Sequence, residues 1–152
     1  MNVKSRMTSN PYIISPDATI AEALEIMRKN NIRRLPVVKN GKLVGIVTER
    51  EMQEVTPSKA TTLSVFELNY LLSKTKVSAV MTRDVITVSP DSLLEEAAVL
   101  MRDNRVGALP VIQDDRVVGI ITETNIFDAF IDLLGFRDSG TRISVEVEDS
   151  PG

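Results

Sequence analysis

Apolar residues along this chain follow two alternating rhythms. Between Thr19 and Asn31, Ile20, Ala23, Leu24 and Met27 recur at helical spacing and predict one amphipathic helix. Thr19 followed three residues later by Glu22 is the pattern of a capping box and marks the helix start. Ahead of it, Tyr12-Ile13-Ile14 reads as a short extended piece stopped at Ser15-Pro16, because the proline ring restricts the residue before it and removes a donor. After the helix, Leu35 to Val38 and Leu43 to Val47 are almost continuously apolar, which predicts two strands buried on both faces. Asn40-Gly41 between them best supports the positive φ angles of a tight hairpin. A second helix opens near Thr48.

The whole series returns 74 residues later. Met7-Thr8 recurs as Met81-Thr82, Ser15-Pro16-Asp17 as Ser89-Pro90-Asp91, Leu35-Pro36-Val37 as Leu109-Pro110-Val111, and Val44-Gly45-Ile46 as Val118-Gly119-Ile120. From Met7 to Glu51, 18 of 45 positions match without a gap, which identifies one structural unit used twice. In the second copy Val85 to Val88 is the extended piece, Ser92 and Glu95 are read as the cap, and Leu94, Ala97, Ala98 and Met101 form the stripe. Asn30-Asn31 and Asn104 mark the helix exits, since Asn tolerates the left-handed conformation. Asp114-Asp115 replaces the Asn-Gly turn and leaves its geometry open, and another helix opens near Thr122.

Each copy therefore reads β-α-β-β-α, about 50 residues and too small to bury a sufficient core alone. The two are expected to pack sheet against sheet, with residues 3–55 and 77–136 as the copies, 56–76 as a helical connector and 137–152 as a tail. Leu63, Phe66, Leu68, Leu71 and Leu72 give the connector a helix-compatible apolar face. Ile126, Phe127, Phe130, Ile131 and Leu134 do the same before Gly135. These faces either fill the core or form a homodimer seam.

Composition removes most chemistry. The chain has no Cys and no His, which excludes thiol nucleophiles, disulfides, Cys/His zinc sites and triads with an imidazole base. It also lacks a phosphate-cradling G-x-x-x-x-G-K-[ST], a G-x-G-x-x-G and a nucleophile elbow, so no enzyme and no cofactor requirement are expected. Asp114-Asp115 reads as an exposed turn rather than a metal site. No apolar run is long enough to span a membrane, and Met1 to Arg6 carries no apolar core behind its positive charges, so a cytoplasmic protein is expected. Although the net charge is −3, residues 1–50 hold nine basic and four acidic side chains. That front suits a phosphate ligand or simple solvation; it has no interleaved aromatics, which argues against nucleic acid.

The repeated order of Met-Thr, short strand, Ser-Pro, Ala- and Met-bearing helix, Leu-Pro-Val, turn, Val-Gly-Ile and Thr-Glu resembles two tandem CBS domains, the cystathionine-beta-synthase-type module. The resemblance covers Val3 to about Leu134. Leu68-Asn69-Tyr70-Leu71-Leu72 and Leu133-Leu134-Gly135 are similar to the acetoin-utilisation branch. It implies an α+β fold of two tandem β-α-β-β-α repeats packed as a pseudo-two-fold pair, a Bateman module, that dimerises. Arg142-Ile143-Ser144-Val145-Glu146-Val147 resembles the first strand of an ACT domain, which implies a chain cut inside a domain that would continue past residue 152; a natural short tail is the alternative.

The resemblance further implies regulatory binding of an adenosine nucleotide of the AMP, ADP or ATP class between the repeats; the alternative is a homodimerisation module that binds no nucleotide. The family's ribose position falls on Glu51, three after Thr48, and on Asn125, three after Thr122. Neither is the family's common Asp, and Glu51 carries an extra methylene, so Thr122 and Asn125 are the favoured ribose site. Helix capping by Thr48 and Thr122 is the competing reading. Arg33-Arg34 fall where the family places phosphate donors, and their planar N–H forks suit that task. Gly107-Ala108 in the second copy leaves room for backbone to approach a ligand. The base is expected against Tyr12, Ile14, Pro36, Val85, Ile86, Thr87 and Pro110.

Overall fold

The computed structural model describes residues 1–55 and 64–135. The strand expected at 142–147, the tail from 137 and Leu63 of the connector lie outside the described residues.

Helix α1 (Ile20–Asn30) starts at the predicted capping box: Glu22 N–H donates to Thr19 Oγ1 at 3.2 Å and Thr19 N–H donates to Glu22 Oε1 at 2.9 Å. Both donors would otherwise be orphaned at the helix start. Its buried stripe of Ile20, Ala23 and Met27 faces a hairpin of β2 (Arg34–Lys39) and β3 (Lys42–Thr48). The hairpin turns at Asn40 and Gly41, with φ of 54° and 79°. Helix α2 (Glu49–Val55) follows β3 directly, and α3 (Val65–Lys74) opens on a second capping box, Ser64 with Glu67. The second repeat supplies α4 (Leu94–Asn104), β4 (Ala108–Gln113), β5 (Arg116–Thr122) and α5 (Glu123–Leu133).

Several sequence expectations need correction. The cap of α4 is Leu93, not Ser92: Glu96, rather than Glu95, accepts from Leu93 N–H at 2.8 Å. Leucine has no oxygen to return the bond, so only half a capping box forms. The left-handed exit of α4 is Arg105, at φ 55°, while Asn104 is still helical and donates Nδ2 to the Leu100 carbonyl. Asp114 and Asp115 both take positive φ, so their turn matches the Asn-Gly turn without a glycine. The extended pieces at Tyr12–Ile14 and Val85–Val88 make single parallel bridges, Ile14 to Val37 and Val88 to Val111, not full strands. Strands β3 and β5 are not buried on both faces: Gly45 and Val47 turn inward while Ile46 and Thr48 are half-buried, and Gly119 and Ile121 repeat the pattern.

The chain crosses between the repeats. Strand β1 (Thr8–Ser9) pairs antiparallel with β5, Thr8 opposite Ile120, giving a sheet ordered β1-β5-β4 beside the two-stranded β2-β3. Thr82, the repeat equivalent of Thr8, pairs with Ile46 on β3. Val3 N–H donates to Ser92 O, and Val77 N–H to Ala18 O. Val3 is accordingly buried with Val88, Leu94, Leu109 and Ile121, whereas Val77 and Met81 complete the core of Ile20, Met27, Leu35 and Met52.

Helices α3 and α5 fill the core only partly. Leu72 packs on the first core and Ile126 on the second. Phe66, Phe127 and Phe130 are 86%, 64% and 57% exposed, so core filling does not account for them.

Candidate functional site

A cleft of about 630 Å³ opens between the repeats. One wall comes from the first repeat, where the period-two alternation of β3 keeps Gly45 and Val47 in the core and aims Ile46 and Thr48 at the cleft. Arg33 and Arg34 stand at the start of β2, and Glu51 in the first turn of α2. The crossing segment adds Thr82, Val85 and Ile86, and the approach to β4 adds Arg105, Val106, Gly107 and Ala108.

Gly45 brings the crossing segment into place. A Cβ there would lie 2.6 Å from Met81 Sδ and 2.9 Å from Thr82 O, so only a bare backbone lets the segment lie on β3. Gly119 makes the equivalent contact with Met7 and Thr8.

Polar groups in the cleft are partly engaged. Glu51 N–H donates to Thr48 Oγ1, and Thr48 N–H and Oγ1 donate to Glu51 Oε1, all at 3.2 Å. Glu51 Oε2 accepts from Thr82 Oγ1 at 2.6 Å. The carboxylate thus fastens α2 to the crossing segment. Arg50 forms an exposed pair with Glu54 at 3.6 Å. Among the described residues, no carboxylate is within ion-pair distance of Arg33, Arg34 or Arg105.

Of the residues expected from sequence, Arg33, Arg34, Thr48, Glu51, Val85, Ile86, Gly107 and Ala108 meet in this cleft. Thr122 and Asn125 do not line it. Their side chains form a capping box of their own, and the Asn125 carbonyl oxygen accepts from Thr122 N–H at 2.8 Å and Thr122 Oγ1 at 3.0 Å. The acceptor assigned to ribose is therefore already in use. Ile14, Pro36 and Pro110 are buried, and their backbone groups are bonded within the core: Ile14 N–H donates to Pro36 O, and Val88 N–H to Pro110 O. Tyr12 and Thr87 are exposed and outside the cleft wall. Thr82, Arg105 and Val106 were missed. The offset of 74 marks Thr82 as the partner of Thr8, but only the crossing puts it beside Glu51.

Among the described residues, no group of three or more Asp and Glu could hold a metal ion, and no helix is long and apolar enough to cross a membrane.

A pseudo-symmetric pair of α+β repeats that exchange their leading segments around a shared cleft defines a tandem-repeat binding module. The CBS domain family matches residues 3–56 and 77–132, and the chain belongs to it. It is similar to an acetoin utilization protein, AcuB, from Vibrio cholerae, with 32% identity, TM-score 0.74, and coverage of 91% of this chain and 96% of that one. The CBS domain pair of protein MJ0100, solved with 5′-methylthioadenosine and S-adenosyl-L-methionine, is 32% identical at TM-score 0.70, covering 88% and 98%. CBSX2 from Arabidopsis thaliana, solved with AMP, is 27% identical at TM-score 0.72, also covering 88% and 98%.

Proposed function

We propose that the cleft binds an adenosine nucleotide and that occupancy regulates how the two repeats sit against each other. The observation that carries this reading is two guanidiniums without carboxylate partners, Arg33 and Arg34, on a wall shared with apolar Val85, Ile86 and Val106. Adenine lies against the apolar part, ribose approaches Thr48 and Glu51, and phosphate meets the arginines. The Thr48 end is preferred over Thr122 and Asn125 because it opens on the cleft. A ribose hydroxyl competes there with Thr82 for Glu51 Oε2. Two related CBS pairs were solved with adenosine compounds, which supports the same ligand class here. Since the walls come from both repeats, a ligand touching both has different affinity for different arrangements, and this is what regulation requires.

Thermal-shift measurements with adenosine, AMP, ADP, ATP and S-adenosylmethionine test the reading. A ligand at 100 times its Kd adds about 2.7 kcal/mol of stability, enough to move the midpoint by several degrees. Replacing both Arg33 and Arg34 by Ala is expected to weaken phosphorylated compounds by about 1.5–3 kcal/mol per charged hydrogen bond lost, and to leave adenosine nearly unchanged. Equal weakening of both classes refutes the phosphate assignment.

Exposed Phe127, Phe130 and Leu133 favour a second reading, a homodimerisation module. A stable dimer with no shift from any compound would select it.

A further inference from the structure

We propose that the hydrogen bond from Thr82 to Glu51 is a clasp on the crossing segment of the first repeat. A ligand with a vicinal pair of hydroxyls opens it, while the matching segment of the second repeat stays fastened. This rests on the nucleotide reading above. Glu51 Oε1 accepts from Thr48 N–H and Oγ1, and Oε2 accepts from Thr82 Oγ1 at 2.6 Å. An ionised carboxylate offers about four acceptor sites, so three bonds leave room for a single further donor. A pair of hydroxyls is received in full only if one existing bond gives way. The Thr82 bond is the one that lies outside the capping box and on an exposed side chain. Thr82 is also the junction of its segment. Before it, Val77 and Met81 are held in the first core; after it, Val85 and Ile86 line the cleft.

The two repeats fasten equivalent segments differently. By the offset of 74, Thr8 matches Thr82 and Asn125 matches Glu51. Among the described residues no hydrogen bond joins Thr8 to Asn125, whose carbonyl oxygen accepts from Thr122. Instead Thr8 and Ser9 pair with Ile120 and Gly119, and Arg6 ion-pairs with Asp132 at 2.6 Å, neither of them lining the cleft. Val80 stands where the second repeat has Arg6, so the first repeat has no counterpart of that ion pair. Thr82 is held by one isolated bridge, to Ile46, and by the clasp. Only the first segment therefore depends on a side-chain bond that a cleft ligand reaches, and the release is one-sided.

The test is calorimetry and hydrogen exchange on the whole chain, for the wild type, Thr82→Val and Thr82→Ser, with AMP and 2′-deoxy-AMP. Val keeps the branched shape without the hydroxyl, and Ser keeps the hydroxyl. We expect Thr82→Val to bind AMP about five-fold more tightly than the wild type and 2′-deoxy-AMP no differently, with Thr82→Ser matching the wild type. The Ile46 amide, which donates to Thr82 O at 3.0 Å, should exchange faster in the wild type when AMP is added, with the β1-β5 pairing unchanged. Equal or weaker AMP binding in Thr82→Val overturns the inference and leaves the nucleotide reading standing. So does an Ile46 amide that AMP slows, or equal acceleration in β1 and β5. If no adenosine compound binds, the nucleotide reading itself fails, and this inference with it.

Discussion

Gly45 and Gly119 have the same task in the two repeats: each leaves room for a crossing segment whose Met sulfur and Thr carbonyl lie where a side chain would begin. Gly45→Ala is expected to push Thr82 away from β3 and destabilise the fold by about 1–3 kcal/mol, read from the midpoint of denaturant unfolding. An unchanged midpoint would mean that the Met81 side chain and the segment yield without loss. Single residues also show how much of the site the sequence reveals. Thr48, Glu51, Arg33 and Arg34 are legible because each stands at a fixed distance from a local motif. Thr82 and Arg105 are not, because their place in the cleft depends on which repeat the chain crosses to. Asn125 and Glu51 look alike from spacing, and both accept in capping boxes with the preceding threonine; what separates them is that Glu51 lines this cleft and Asn125 does not, which spacing alone cannot tell.

Helices α1 and α3 open with complete capping boxes and α4 with half of one, so the element starts differ in what holds them. Ser92 and Glu95 have the spacing of a capping box at the start of α4, yet the Ser92 Oγ accepts from Ser89 N–H in the turn before the helix. Helix and hairpin positions were otherwise legible, since both follow from local spacing and turn chemistry. The failure of strict two-sided burial in β3 and β5 was not, because it depends on the neighbouring repeat. At α3, hydrogen bonds from the Ser64 backbone N–H and then its side chain hold the Glu67 carboxyl below its ordinary value of 4.5. A carboxylate whose folded value is depressed stabilises fully above its unfolded value, and that support is lost as pH falls through the folded value. Helical circular dichroism should therefore fall as the solution is acidified below 4.5, with part of the change absent in Glu67→Gln. An identical acid profile in that variant would remove Glu67 as the cause.

Across the molecule, the exchanged leading segments make each core depend on residues that precede the other repeat: the first core takes Val77 and Met81, and the second takes Val3 from the far end of the described chain. Val3 lies fully buried among second-repeat residues, and Arg6 adds a half-buried pair to Asp132 of α5 at 2.6 Å. Val3→Ala is expected to cost about 2 kcal/mol, and hydrogen exchange should place the loss in β4, β5 and α4 rather than in α1 and β2. Loss centred on the first repeat would contradict the exchanged arrangement. During synthesis the same arrangement imposes an order. When residue 55 leaves the ribosome, the first repeat still lacks Val77 and Met81, and Val3 has no β4 or β5 to enter. The first core can close once Met81 has emerged, whereas Val3 waits for β4 and β5. The second core is therefore completed late, through contacts far apart in sequence, and its apolar surface stays exposed in the nascent chain until they arrive.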